Sequence, residues 1–574
     1  MRAILPRQLR LHRMEHFTWT VAQILEAERR LRTHTEDPEA MMREAADAVA
    51  EAASVMLAPR EPVLILAGPG GNGGDGLYAG ATLAAGGHPV DALLTAGRAH
   101  QPALDAFVAA GGRVISALDR PWEYSLLIDA ITGLSARPGL DESLRPLVED
   151  VAELPTLAVD LPSGVEADTG LAGELHITAD ATITFGGWRR AHVLHPACGT
   201  QLLADIRLGQ HSLALELEAM SDDGELGDTM MLFASRAVSG EPLPEAFPDE
   251  FAVLEPFDVA PVTPGPSSDK YTGGVVGVVA GSAEFPGAAV LSCLGAVNAT
   301  PGMVRYVGTQ AAEVVRAMPE VVAVERLEDC GRVQAWVFGP GSTSEADLRW
   351  LLARPEPLLI DATGTTLLAS SPTLRDLLVS RSAPTVLTPH DGEFARLHDA
   401  VFAGAAGASA GPGTAASAAG AGASRLEETL ALAKALRCTV VRKGRVTIIA
   451  DHTAASPSAG PATGTTDTAE NTAPGTAATN AGTTGWDYAY AVDAGHSWAA
   501  TPGSGDVLSG LMGARLALAA AEAPLDIPAD EVAAQSVVVH AVAASLAART
   551  PYGNATAPAS RIATFVRDAT ACLT

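Results

Sequence analysis

Pro62 to Gly68 reads PVLILAG, a short apolar run closed by glycine, and the chain keeps returning to that form with helical segments in between. An apolar run without polar alternation must be covered on both faces, which is the position of a strand in a parallel sheet sandwiched by helices. After VAQILEAERRL and MMREAADAVAEAASVML, two segments with helical spacing, come PVLILAG, PVDALLTA, VISAL, YSLLIDAI, PTLAVDL and ADATITF. A second series follows: GVVGVVAGS, MVRYVG, AWVFGPG, PLLIDATG, PTVLTPH, TVVRKG and VTIIAD, then two Ala/Val-rich helical segments. The predicted fold class is therefore α/β, with two successive three-layer units, the first Rossmann-like.

A chain of 574 residues exceeds what one core usually supports. Residues 17–219 are expected to form the first domain and 251–574 the second, joined by an acidic, Pro- and Gly-rich linker over 220–250. The basic lead-in 1–16 is expected to lie outside the fold, with Met14 as the true start. Two segments of the second domain, 403–424 and 453–484, are built from Ala, Gly, Thr and Ser. They offer too little apolar surface to offset the entropy of ordering, and are expected to be flexible insertions.

Charge narrows the function classes. With 38 Lys+Arg against 67 Asp+Glu, the formal net charge is −29, which repels nucleic acid and anionic membranes. A dinucleotide can still bind, because backbone amides at helix N-termini supply local positive potential. Five scattered cysteines without CxxC spacing, and no uninterrupted apolar stretch long enough to span a bilayer, give the expectation of a cytoplasmic protein. Homo-oligomerisation is left open.

GPGGNGGDG, Gly68 to Gly76, lies between a strand and a helix, where glycines let amides approach a phosphate. Asp129 ends SLLID and Asp160 ends LAVD, just before LPSG. Carboxyl ends of parallel strands line one crevice, so Asn72, Asp75, Asp129, Asp160 and Ser163 should converge there. The oxygen-rich set Asn72, Asp129 and Ser163 suits a hard cation. The alternative for Asp160 is a structural cap. Together GPGGNGGDGLYAG, LIDAITG, VDLPSGVEADTG and ADATITFGG resemble the NAD(P)H-hydrate epimerase family, over approximately Thr18 to Glu218. The resemblance implies that Gly71, Asn72, Gly73, Gly74 and Asp75, with the loop Gly133, Leu134, Ser135, Ala136, Arg137, Pro138 and Gly139, contact the dinucleotide. It also implies that Asn72, Asp129 and Ser163 hold potassium and that Asp160 serves the reacting centre. Gly71 stands where Asn is frequent, LSARPG replaces a more glycine-rich loop, and Arg189 occupies what is commonly Lys.

In the second domain TPGSGDVLSG, Thr501 to Gly510, places small residues and Asp506 before an apolar helical run. Free amides at such a helix start can bind a transferring phosphoryl group while the carboxylate takes a proton from an attacking hydroxyl. RKGRVTII, FGPGS and TPHDGEF lie at other strand ends, while His540 on VVVHAVAASLAA reads as a core histidine. Running FGPGS, LLIDATG, TPHDGEF, RKGRVTII and GSGDVLSG along the chain, the motifs resemble the ADP- or ATP-dependent NAD(P)H-hydrate dehydratase family, which has a ribokinase-like fold. That likeness implies that Ala288, Gly341, His390 and Asp506 contact the hydrated dinucleotide. Lys443, Gly444, Arg445, Val446 and Thr447, with Gly505, would bind ADP, accompanied by Mg2+. Thr363 stands where Asp is frequent, Thr366 replaces a common Asn, and Pro502 replaces Gly, removing one amide.

The combined expectation is a bifunctional enzyme that interconverts R- and S-NAD(P)H hydrate and dehydrates the S form at the expense of ADP, yielding AMP and phosphate. Two other readings stand beside it: a ribokinase-like small-molecule kinase, and a dehydratase whose N-terminal domain is a catalytically silent binding module.

Overall fold

The strand Val63–Ala67 is buried along its whole length and divides its side chains between two cores. Val63, Ile65 and Ala67 face one core and Leu64 and Leu66 the other, which is why VLILA carries no polar alternation. The computed structural model describes residues 16–222, 231–237, 251–264, 266, 268–299, 302–406, 423–452, 488–521 and 527–574. In the first sheet Val63–Ala67 lies between Val90–Leu94 and Leu126–Ala130, all parallel. Arg113–Ile115 closes one side, and Thr156–Val159, Ala181–Phe185 and Thr200–Ala204 extend the other. Helix Gly71–Ala85 packs closely on this sheet, because a Cβ on Gly80 would meet Ile65 Cδ1 at 2.4 Å and one on Gly76 would meet Ala130 Cβ at 2.5 Å.

The second sheet runs parallel through Val322–Val324, Met303–Val307, Val275–Val279, Ala335–Phe338, Leu358–Ile360, Thr385–Leu387 and Thr439–Arg442. It then turns antiparallel through Val446–Ala450 and Tyr488–Asp493. Helix Ser504–Ala521 packs across it against Pro286–Val297. The approach is close enough that a Cβ on Gly510 would lie 1.8 Å from the Ser292 carbonyl oxygen.

The border between the halves differs from expectation. Met231–Arg236, inside the segment expected to be a linker, is a strand paired in parallel along Tyr488–Asp493. Phe17–Trp19 pairs with it, and Trp188–Arg189 pairs with Phe17–Trp19, so the second sheet continues into elements of the first half. In return, Ala252–Val253 adds an antiparallel edge to the first sheet beside Thr200–Ala204. A strand also precedes the two N-terminal helices. Apart from Met231–Arg236 these strands are short, and an acidic, Pro-rich neighbourhood hides the apolar faces of Leu232, Phe233 and Ala234, whose burial comes from strands distant in sequence.

Residues 403–406 complete helix Asp391–Ala406, and Ser424 caps helix Arg425–Leu436 with Glu427 closing a capping box. The remainder of the first expected insertion, 407–422, and all of 453–484 lie outside the described residues. Among the described residues one helix, Ala529–Ala548, is long and apolar enough to cross a membrane by length and composition, although Asp530, Glu531, Gln535 and His540 interrupt it. Most of it is buried inside the second domain.

Candidate active sites

The first site forms where the strands Leu126–Ala130 and Thr156–Val159 end beside the start of helix Gly71–Ala85. Asp129 is fully buried. Its carboxylate accepts from the Ser163 hydroxyl at 2.6 Å, the Ser163 amide at 2.7 Å and the Ile131 amide at 3.3 Å. Burial outweighs these bonds and pushes its pKa up to about 6. Gly133 brings two further residues together: a Cβ there would lie 2.9 Å from Asn72 Oδ1 and 3.3 Å from Asp160 Oδ2. Buried and without hydrogen-bond partners among the described residues are Asn72 Nδ2 and Thr132 Oγ1.

Asp160 has φ +64, a left-handed conformation that costs a non-glycine residue about 1 kcal/mol or more. The surrounding bonds hold it there: its amide donates to the Ile183 carbonyl at 2.7 Å, and Thr184 Oγ1 donates to Asp160 Oδ1 at 3.0 Å. Arg189, 1% exposed, places Nη2 3.2 Å from Asp160 Oδ1. His192 Nδ1 accepts from the Arg189 amide at 3.0 Å, so Nε2 carries the proton that it donates to the Asp160 carbonyl at 2.8 Å. Burial lowers the His192 pKa to about 4, which keeps this tautomer neutral.

Asp75 is half-buried; desolvation first, then the charges of Asp160 and Glu28, push its pKa well up. Glu28, on helix Val21–Arg32, is itself raised by burial and feels the charges of Arg189 and Asp160. The sequence offered no sign of Glu28, since its helix precedes every recognisable motif. The loop after Gly133 is anchored by the Ala136 amide on the Gly133 carbonyl and the Gly139 amide on the Gly164 carbonyl, both at 2.8 Å. Ser135, Arg137 and Pro138 are exposed at its rim, with Leu134 half-buried.

The second site centres on the first turn of helix Ser504–Ala521, whose leading amides have no carbonyl four residues back within the helix. Asp506 stands in that turn. Desolvation and the charge of Asp361 push its pKa up to about 7 against the opposing pull of Lys443, with Glu393 adding to the rise. Asp361, fully buried, accepts from Lys443 Nζ at 2.7 Å and from the Ser509 hydroxyl at 2.5 Å. A Cβ on Gly505 would approach Lys443 Nζ to 3.4 Å, so the amide-rich turn, the ammonium and two carboxylates share one pocket. His540 is buried, as expected of a core histidine, but its Nε2 also lies 3.1 Å from Ser504 Oγ at the helix start. Asp361 was not singled out from the sequence, although it ends LLID as Asp129 does.

The remaining expected residues surround that pocket at different depths. Gly341, with φ +63, lies against Ala288: a Cβ on it would come 3.1 Å from Ala288 Cβ. His390 is exposed, with Nδ1 accepting from the Gly392 amide at 3.0 Å and Nε2 3.5 Å from Glu393 Oε1. Its backbone bridges to Lys443. Past Lys443 the loop turns elsewhere. Arg445 reaches the Gly495 carbonyl and Asp493, Val446 is buried, and the Thr447 hydroxyl donates to the Gly444 carbonyl at 3.2 Å.

Residues 38–191 match the family described as YjeF-related protein N-terminus, and residues 276–469 and 484–565 match the family described as NAD(P)H-hydrate dehydratase. The chain is 42% identical to the bifunctional NAD(P)H-hydrate repair enzyme Nnr of Corynebacterium glutamicum, over 96% of this chain and 98% of that protein. It is 37% identical to the protein of the same name from Mycobacterium leprae, over 98% and 100% of the two chains. Among solved structures it is similar to a ribokinase-like superfamily protein from Enterococcus faecalis V583, with 19% identity and a TM-score of 0.39, over 55% of this chain and 92% of that one. With a strand-end aspartate site in the first half and an aspartate in the first turn of a helix beside a half-buried lysine in the second, matched along nearly its whole length, the chain belongs to the bifunctional NAD(P)H-hydrate repair enzymes.

Proposed function

We propose that Asp506 is the base of the dehydratase half and Asp160 the proton-exchanging group of the epimerase half. The observation that carries the first assignment is the Asp506 carboxyl, raised to about 7 beside Lys443 and the amides of the helix start. A base with that pKa is half-deprotonated near neutral pH, where general-base catalysis is most effective. It would take the proton from the C6 hydroxyl of S-NAD(P)H hydrate as that oxygen attacks the terminal phosphorus of ADP and AMP leaves. Elimination of phosphate then breaks the C6–O bond as a proton leaves C5 to solvent, forming the C5–C6 double bond that restores the dihydronicotinamide. Lys443, neutralised in part by Asp361, and the amide of Gly505 would hold the transferring phosphoryl group. Magnesium bound to the diphosphate would supply charge neutralisation there; Asp361 and Glu393 are the neighbouring carboxylates.

In the first half, the buried Asp160 carboxylate and the loop from Gly133 support binding of the altered ring, with Asp160 exchanging the proton that accompanies inversion at C6. Asn72, Asp129 and Ser163 would hold a potassium ion. Their donors are oxygens, and the groups bonded to the buried Asp129 carboxylate, Ser163 and the Ile131 amide, carry no positive charge. Four buried, unpaired cysteines, Cys198, Cys293, Cys330 and Cys438, fit a reducing compartment such as the cytoplasm.

Incubating the enzyme with mixed R and S hydrates and ADP tests both halves at once. Consumption of both epimers faster than spontaneous epimerisation, with recovery of reduced-nicotinamide absorbance, is expected. Consumption halting at the S fraction would mean a silent first domain, and a stable phosphorylated product would mean a kinase.

A further inference from the structure

A cluster away from both catalytic sites has the chemistry of a metal centre. His34 follows the end of helix Val21–Arg32, His211 lies on the second strand of the hairpin Arg207–Leu208 and His211–Ser212, and Glu216 sits in the first turn of helix Leu213–Asp222. Their ligand atoms all lie within 4.8 Å of one another, and among the described residues this is the one such group of His, Cys, Asp and Glu. The two imidazoles are stacked with ring centroids 3.5 Å apart and planes 6° from parallel, while His34 Nε2 is 3.5 Å from Glu216 Oε1.

Tertiary structure brings His34 to the other two, since His211 and Glu216 lie on adjoining elements while His34 follows helix Val21–Arg32. Leu31 fixes the end of the first helix, and Leu213, Leu217 and Met220 fix the second, all of them buried. The Leu213 amide donates to the Ile206 carbonyl at 3.0 Å, tying the hairpin to the helix. His34 and His211 remain accessible, and His211 also lines an open cavity of about 330 Å³ with Asp205, Arg207 and Glu218, so an ion has a path in. We propose that His34, His211 and Glu216 bind a borderline divalent transition-metal ion of the zinc class.

Two imidazoles and one carboxylate are a donor set that such ions favour, with water left to complete a tetrahedron. Mg2+ and Ca2+ prefer all-oxygen sets. Coordination would replace the stack, because two ring nitrogens must turn toward one point; these side chains lie at the surface, where such a turn is cheap. A net charge of −29 raises the local concentration of cations around the chain. The four buried thiols compete poorly, since burial holds each of them protonated. The exposed Cys572 is a competitor that the test must remove.

The experiment uses the full-length chain carrying Cys572→Ser, stripped with a chelator and titrated with Zn2+ against a chromophoric competitor. One equivalent bound by protein is expected, with a zinc-dependent rise in Tm. His34→Phe keeps a ring in the stack but removes the nitrogens, and His211→Gln changes an exposed side chain. Each should weaken Zn2+ binding more than about tenfold and abolish the Tm rise. Absence of zinc binding in the Cys572→Ser protein, or binding that survives both substitutions together, overturns the proposal.

Discussion

The two catalytic halves place an aspartate beside a glycine-rich turn, yet they treat its charge in opposite ways. Asp160 in the first half has a buried cation of its own: Arg189 sits 3.2 Å away and Thr184 donates to the same oxygen. Asp506 in the second half shares its cation, because Lys443, which pulls against the rise of its pKa, is bonded to Asp361 at 2.7 Å. One carboxylate is thus buried as a pair and the other is buried beside a second carboxylate, which pushes its pKa up to about 7. The base proposed at Asp506 gains from that second arrangement, whereas a paired carboxylate gains in order and position.

Breaking each aspartate tests the contrast, and the largest effect is expected at Asp506. Asp506→Asn should lower S-hydrate dehydration by about 10³-fold, in the upper part of the range for loss of a general base, with epimerisation intact. It should also stabilise the protein above neutral pH. The native state keeps a proton at Asp506 that the unfolded chain has lost between its ordinary value of 3.8 and about 7, so this residue subtracts stability as pH rises through that window. Tm measured against pH should therefore rise in the variant relative to wild type above pH about 7 and match it near pH 4. Asp160→Asn should do the reverse. It leaves Arg189 buried without a carboxylate, and a loss of about 3 kcal/mol in denaturant unfolding is expected together with an about 10²-fold slower R-hydrate turnover. Equal stability changes in the two variants would remove the contrast.

A finer comparison uses pH itself. Dehydratase kcat/KM should fall about tenfold per unit below the Asp506 pKa of about 7, as the base is protonated. An assay of the epimerase half over the same range shows whether that limb is confined to the dehydratase. The smallest effect is expected at the approach to the helix start. Pro502 is exposed and lacks an amide, so Pro502→Gly should lower the KM for ADP a few-fold; an unchanged KM would show that this amide position does not touch phosphate.

Local pattern made much of this legible. The uninterrupted apolar strands announced two covered parallel sheets, and the glycine turns with strand-end aspartates marked Asn72, Asp129, Asp160 and Asp506, each of which lies beside such a turn or strand end in the fold. The border between the halves was not legible, because Phe17–Trp19 is short and Met231–Arg236 sits in an acidic, Pro-rich stretch, and both gain their burial only by joining strands that come from elsewhere in the chain. Asp361 escaped for the same reason. Its partners Lys443 and Ser509 lie 82 and 148 residues away, and nothing in LLIDATG says that its carboxylate will bond both.

The amino-acid order alone determined where strands, helix starts and small-residue turns occur, since those depend on side-chain periodicity and on backbone freedom within a few residues. Only the tertiary structure decided which charges face one another, how Asp160 and Asp506 came to differ, and which edge strands cross between the halves. Electrostatic energy depends on distance and burial, and both are set by contacts between residues remote in the chain.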